Sequence, residues 1–110
     1  PIQMIKDRLK MIEDMLNKNP EDTFLNYAVA LEYKKYGFND KAMNTLEKLK
    51  DLDPKYLPTY YQLGKLHEDK NNQNKAISIY KIGINIAKEK DDSKTLGELA
   101  EALLMLDAEW

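Results

Sequence analysis

Small residues recur in this sequence with an offset of 34 positions. Ala30 and Ala42 lie twelve residues apart, and Gly64 and Ala76 occupy the same two places 34 residues further along the chain. Two helix axes can approach closely only where side chains are small, so such pairs are typical of helix crossings. The offset therefore predicts that one packed pair of helices is repeated, and a repeated pair restricts the fold more than any single motif could.

Hydrophobic periodicity predicts the helices themselves, because apolar residues follow one another at spacings of three and four. The predicted ranges are 2–18, 23–36, 40–52, 58–70, 73–88 and a last helix that begins after the segment 91–93. Pro20 and Pro54, again 34 residues apart, end the first and third ranges, since proline disfavours helical geometry in the residue before it. Lys88 stands where a third proline is due. We therefore expect the helix before it to continue for another turn.

Polar and glycine residues mark the predicted helix ends. Asp22 and Thr23 are candidate N-caps of the second helix, and the segment 91–93 offers three more for the last one. Gly37 and Asn71 repeat at the 34-residue offset, and both residue types tolerate the left-handed conformation found just after a helix. The last helix is expected to turn one apolar stripe inward, and its members are Leu96, Leu99, Leu103, Leu106 and Trp110.

Composition limits the classes of function. The 110 residues contain no cysteine, so neither disulfides nor a thiolate metal site can form, and a reducing, cytoplasmic location is expected. No apolar run approaches the roughly 20 residues of a membrane span, and no signal peptide is evident. Charge is nearly balanced, with 17 basic and 19 acidic residues, and Arg8 is the single arginine. Nucleic-acid binding and membrane binding are therefore not expected. The bias toward lysine, asparagine and isoleucine is typical of bacteria with AT-rich genomes.

No constellation of residues indicates catalysis. His67 is the only histidine, and Ser78 and Ser93 are the only serines, so the chain spells no catalytic triad. The carboxylate pairs Glu68-Asp69 and Asp91-Asp92 could be considered as metal ligands, but adjacent residues on a helix point apart, and such residues at helix ends more often act as caps. The four glycines do not form a phosphate-binding loop. We therefore expect a non-enzymatic protein with no metal and no cofactor.

The whole chain resembles the tetratricopeptide repeat family, whose 34-residue pattern is W-x2-L-G-x2-Y followed by alanine, an aromatic, a small residue and proline. In the first repeat, residues 23–56, the pattern is filled by Val29, Ala30, Tyr33, Ala42, Leu46, Leu49 and Pro54, with Asn26 in the tryptophan place. In the second repeat, residues 57–90, it is filled by Tyr60, Leu63, Gly64, His67, Ala76, Tyr80 and Gly83. Residues 1–22 and 91–110 fit a half-repeat at each end.

The resemblance implies an all-α fold, a right-handed α-solenoid of antiparallel helix hairpins with about five helices in a single domain. His67 takes a tyrosine position of the repeat, where a structural histidine packed between helices is expected rather than a base or ligand. Arg8 takes a small-residue position, which is tolerable if no repeat precedes it in this chain.

The resemblance also implies a protein-interaction scaffold, with a concave groove lined by the first helix of each hairpin. The implied groove positions are Phe24, Tyr27, Ala28, Leu31, Lys34 and Lys35, then Tyr61, Gln62, Lys65, Glu68 and Asp69. Aromatic residues exposed on a rigid surface are typical anchors for a protein or peptide ligand; half-buried scaffold tyrosines are the alternative. Chaperone-binding members clamp a terminal carboxylate with lysine and asparagine at these positions. Only Lys65 suits that role here, so this subclass is excluded.

The first helix carries a second apolar stripe formed by Met4, Met11 and Met15. Methionine is adaptable at interaction surfaces, and the repeat pattern leaves this flank without a covering helix. One hypothesis is therefore a structural protein that forms a homodimer through these methionines. The alternative is that the stripe is the edge of a wide core face, shielded by the aliphatic stems of Lys6, Arg8 and Lys18.

Overall fold

The computed structural model describes the backbone of residues 2–107 and the side chains of residues 7–106. The helices are α1 (Ile2–Lys18), α2 (Thr23–Lys35), α3 (Asn39–Leu52), α4 (Pro58–Asp69), α5 (Gln73–Glu89) and α6 (Ser93–Asp107). No strand occurs in the described range, so the all-α class is confirmed. The predicted count of about five helices is one too low, because a half-repeat, two hairpins and a capping helix amount to six.

The chain divides into two compact units, residues 1–54 (unit 1) and residues 55–110 (unit 2). In unit 1, α2 packs against both α1 and α3; in unit 2, α5 packs against both α4 and α6. The core of unit 1 contains Val29, Ala30, Ala42, Met43, Leu46 and Leu49. The core of unit 2 contains Leu57, Tyr60, Leu63, Leu66, Ala76, Ile79, Tyr80, Ala87, Leu99, Ala102 and Leu106. Most of the residues that fill the repeat pattern are in these two sets. None of the helices described within residues 2–107 has the length and apolar character required to cross a membrane.

Helix ends follow the predicted chemistry. Gly37 and Asn71 both have the left-handed backbone, with φ of 84° and 61°, which confirms their roles after α2 and α4. Helix α5 has 17 residues and its counterpart α3 has 14, so α5 continues for almost one more turn, as the missing proline predicts. It is followed by Asp91, which also has positive φ, at 54°. Aspartate tolerates this conformation better than most residues.

Carboxylates cap two helices. Asp22 Oδ1 accepts from the backbone N–H of Leu25 at 2.8 Å, so Asp22 caps α2. Thr23, the other candidate, instead donates its hydroxyl to Asp53 Oδ2 at 2.9 Å, which ties the start of α2 to the end of α3. Asp92 caps α6 by accepting from Thr95 N–H at 3.0 Å and from the Thr95 hydroxyl at 2.8 Å. These hydrogen bonds lower the pKa of the Asp92 carboxyl.

Small residues lie where the repeat pattern expects helix crossings. A Cβ atom on Gly64 would lie 2.2 Å from Cε1 of Tyr80, and one on Gly83 would lie 2.8 Å from Cδ1 of Leu99. Real Cβ atoms do not approach other atoms so closely, so these two helix positions accept only glycine without rearrangement. Gly97, by contrast, has open space around it on the surface of α6.

Two polar contacts tie α1 to α2. The Tyr33 hydroxyl donates to Glu13 Oε2 at 2.5 Å; burial, together with the hydrogen bond and negative charge of Glu13, raises the pKa of Tyr33 to about 12. Arg8 Nε lies 3.0 Å from Glu32 Oε1. This ion pair is the physical reason for an arginine at a position where a small residue was expected.

Glu32 is a buried carboxylate that sequence analysis did not identify. It is 7% exposed, and its Oε2 is buried with no hydrogen-bond partner among the described residues. The 34-residue offset leads from Glu32 to Leu66, a core leucine. Unit 1 therefore keeps a charged group at a position that is apolar in unit 2. The predicted contacts of Met4, Lys6 and Trp110 concern side chains that lie outside the described residues.

Candidate functional site

A cleft of about 330 Å³ lies between α4 and α6 of unit 2. Its lining consists of Tyr61 and Lys65 from α4 and of Glu98, Glu101, Ala102 and Met105 from α6. Residues at spacings of three, four and seven share one side of a helix, so each helix presents a continuous face to the cleft. Helix α6 reaches this position because it packs on α5, where Gly83 lies between Tyr60 and Leu99.

The cleft wall formed by α4 is held by a series of contacts that starts in the core. The Tyr80 ring fills the space beside Gly64, and the Tyr80 hydroxyl donates a hydrogen bond to Glu68 Oε2. The same oxygen lies 3.6 Å from Lys65 Nζ. Lys65 Nζ in turn lies 5.4 Å from the centre of the Tyr61 ring, within cation–π range. The Lys65 ammonium is therefore connected to the core by contacts that pass from the crossing at Gly64 through Tyr80 and Glu68.

The protonation state of Tyr80 supports this arrangement. Burial, and then the hydrogen bond to the Glu68 carboxylate and its charge, raise the pKa of the Tyr80 hydroxyl well above its ordinary range. Tyr80 consequently remains a neutral hydrogen-bond donor at every physiological pH. The oxygen that accepts this hydrogen bond, Glu68 Oε2, is also the one nearest to Lys65 Nζ.

The cleft combines an apolar part with a carboxylate rim. Tyr61 is half-buried, Ala102 is buried, and the Met105 side chain is 66% exposed. Glu98 and Glu101 are exposed and form no ion pair with any of the described residues. The site can thus receive an apolar side chain between Tyr61 and Met105, with negative charge beside it.

Sequence reasoning found only half of this cleft. It identified Tyr61, Lys65 and Glu68 on α4, which the structure brings together, and Gln62 lies half-buried beside them. It missed the α6 residues because the leucine stripe of α6 was used only to predict the inward face. The spacing of Glu98, Glu101 and Met105 along the predicted helix was the available signal.

The groove positions predicted on α2 belong to unit 1. Phe24 is 70% exposed, whereas Tyr27, Leu31 and Lys34 are half-buried. Their spacing gives α2 one face on which an aromatic and an aliphatic side chain remain accessible. The two other groove positions implied on α2 are Ala28, which is half-buried, and Lys35, which is exposed.

The residues considered for catalysis do not come together. His67 is buried in α4, whereas Ser78 on α5 and Ser93 on α6 are exposed. Within the described residues, no group of three histidine or carboxylate side chains could hold a metal ion.

Comparison with solved structures shows which proteins share the fold of this chain. Two structures combine a high TM-score with a low sequence identity to this chain, and each shows the fold alone. The TPR2B domain of yeast Sti1, solved in complex with pHsp70, has a TM-score of 0.86 at 14% identity, over 98% of this chain and 86% of that chain. The Yersinia enterocolitica type III secretion translocator chaperone SycD has a TM-score of 0.86 at 15% identity, over 97% of this chain and 82% of that chain.

A third comparison identifies the family. A tetratricopeptide repeat domain protein from Salinibacter ruber is 40% identical to this chain, with a TM-score of 0.77, and the alignment covers 81% of this chain and 90% of that one. No family model matches the sequence, and no curated protein matches it. The identity and coverage nevertheless establish that this chain belongs to the tetratricopeptide repeat family.

Proposed function

We propose that this chain is a non-enzymatic protein-interaction module that binds a peptide or protein segment through a tyrosine-lined groove. The observation that carries the proposal is the cleft beside Tyr61, where an aromatic ring, a half-exposed lysine and an exposed methionine meet on two rigid helices. The part of the proposed groove that belongs to unit 1 lies on α2 and consists of Phe24, Tyr27 and Leu31. Rigid aromatic anchors contribute a large contact area at little cost in conformational entropy.

Family membership supports a binding role. Among proteins of similar fold, the Sti1 domain is in complex with pHsp70 and SycD is a translocator chaperone. We infer from these relatives that the present chain also acts by holding a protein partner. The residues on its own groove positions differ from a carboxylate clamp, because Tyr27, Leu31, Tyr61 and Gln62 supply no cation.

Selection from a random peptide library displayed on phage tests this proposal. Selected peptides, resynthesised and measured by fluorescence anisotropy, should bind the parent protein. They should bind the variant Tyr27→Ala with Tyr61→Ala about tenfold or more weakly. The matched control is Tyr36→Ala with Tyr56→Ala, which removes one half-buried tyrosine from each unit outside the groove. Equal affinity of the parent and the groove variant, with both folded by circular dichroism, contradicts the proposal.

A second candidate function is self-association through α1. Met11 is 57% exposed and Met15 is 47% exposed, so this part of the predicted methionine stripe is accessible, while the Met4 side chain lies outside the described residues. The proposal is that these methionines form a homodimer interface. In sedimentation velocity, the parent should be dimeric at micromolar concentration, and Met11→Glu with Met15→Glu should be monomeric and folded. Ile82→Glu, at an exposed apolar residue of α5, is the control. A parent that remains monomeric at all concentrations removes this candidate.

A further inference from the structure

We propose that the cleft between α4 and α6 selects an extended segment in which a basic side chain follows or precedes an apolar one by two residues. This inference rests on the proposed function and specifies its ligand. It assigns the apolar side chain to the space between Tyr61 and Met105. The basic side chain lies against Glu98 and Glu101.

Charge complementarity indicates that the ligand side chain beside the carboxylates is positively charged. The cleft lining contains two carboxylates, on Glu98 and Glu101, and one ammonium, on Lys65. That ammonium already lies 3.6 Å from Glu68 Oε2 and 5.4 Å from the centre of the Tyr61 ring. Glu98 and Glu101, in contrast, have no ion-pair partner among the residues that the structure describes. A lysine or arginine of the ligand would pair with them, whereas an acidic side chain would be repelled.

The spacing along α6 determines the spacing in the ligand. Glu101 and Met105 are four residues apart, which corresponds to about 6 Å along a helix. In an extended segment, side chains two residues apart point to the same side and lie roughly 6.6 Å apart. One such pair can therefore reach the Glu101 carboxylate and the Met105 side chain together. Methionine adjusts to the shape of the incoming apolar group because its side chain is unbranched and flexible.

Three labelled peptides test the inference. Each is a short glycine- and serine-rich peptide with blocked ends that carries a leucine and, two residues later, an arginine, a glutamine or a glutamate. Fluorescence anisotropy should show the arginine peptide binding the full chain about tenfold more tightly than the glutamate peptide, with the glutamine peptide between them. Raising the salt concentration from about 50 mM to about 500 mM should reduce this preference, because the carboxylates are exposed.

Matched variants assign the preference to the cleft. Glu98→Gln with Glu101→Gln should lower the affinity for the arginine peptide by about three- to tenfold. The affinity for the glutamine peptide should change by less than about twofold. Glu21→Gln with Glu89→Gln, which changes net charge equally at exposed positions away from the cleft, should leave the preference intact. Met105→Ala should lower the affinity for all three peptides by the same factor.

Distinct results would overturn the inference and the proposed function. The inference fails if the three peptides bind equally, if the glutamate peptide binds best, or if none binds at millimolar concentration. In each of those cases the proposed function stands provided that peptides selected by display still require Tyr61. Loss of self-association in Glu98→Gln with Glu101→Gln would assign the cleft to a second copy of the chain, and that also overturns the inference. The proposed function itself fails if selected peptides bind without Tyr27 and Tyr61.

Discussion

Replacing Gly64 with alanine tests how α4 packs on α5. The added Cβ atom would lie 2.2 Å from Cε1, 2.6 Å from Cζ and 2.7 Å from Cδ1 of Tyr80. Carbon atoms pack favourably at about 3.5–4.0 Å, so the ring must move by more than about 1 Å. The ring is fully buried, and its hydroxyl is bonded to Glu68, so the movement strains the core and disturbs that hydrogen bond.

The expected magnitude follows from three contributions. Overpacking costs about 2 kcal/mol, and weakening a hydrogen bond to a charged group costs about 2 kcal/mol. The better helix propensity of alanine offsets about 1 kcal/mol. The net loss of about 3 kcal/mol should lower the urea midpoint by roughly 1.5–2 M for a domain of this size. Circular dichroism at 222 nm during urea titration measures it.

Gly97→Ala is the matched control, because its Cβ atom meets nothing within 4 Å on the surface of α6. It should stabilise the protein by about 0.5–1 kcal/mol. The same substitution is therefore expected to act with opposite signs at the two positions. Equal midpoints for the parent and Gly64→Ala, or equal shifts for both variants, would refute the packing described for Tyr80.

Three further predictions concern charge. Arg8→Ala should destabilise the fold by about 1–3 kcal/mol by leaving the buried Glu32 carboxylate unpaired, whereas Glu32→Leu should be neutral or stabilising; equal losses in urea melts would contradict this. The lowered pKa of Asp92 means that its ionised form stabilises the fold above the ordinary aspartate pKa and that this contribution disappears as pH falls. Asp92→Asn should therefore be less stable than the parent at pH 7. In thermal melts, the difference in melting temperature between the two proteins should shrink as pH decreases. The raised pKa of Tyr33, about 12, means that its contribution is complete below the ordinary tyrosine pKa of about 10 and is lost as pH rises toward 12. Tyr33→Phe should lose less stability than the parent over that interval. If the free energy of unfolding falls with the same slope against pH in both proteins, the contact with Glu13 is contradicted.

The fold was predictable because its determinants are local or periodic. The 34-residue offset, the prolines and the left-handed positions at Gly37 and Asn71 are all readable from the chain, and the helix bounds agree within a few residues. The extension of α5 beyond the length of α3 was likewise predictable from the missing proline. These features depend on backbone geometry, which residue type largely determines.

The cleft between α4 and α6 was less predictable than the fold, because it depends on which helix faces meet. Lys65 and Glu68 could be assigned to one side of α4 from their spacing alone. The spacing of Glu98 and Met105 indicates only that they share one face of α6. That this face lies opposite Lys65 depends on the packing of α6 on α5 at Gly83. Glu32 was missed for a similar reason, since its ion-pair partner Arg8 lies 24 residues earlier in the chain. A carboxylate on an amphipathic helix is ordinarily taken to be solvated.

The contacts that lead from Gly64 through Tyr80 and Glu68 to Lys65 have a consequence for how this protein can diverge. A substitution of Glu68 removes the acceptor of the buried Tyr80 hydroxyl, so it lowers stability whatever its effect on the proposed ligand. Glu98 and Glu101 have no such connection to the core. For the binding role proposed above, homologues or designed variants could therefore change ligand preference through α6 while keeping α4 intact. New specificities in this scaffold should arise on its last described helix.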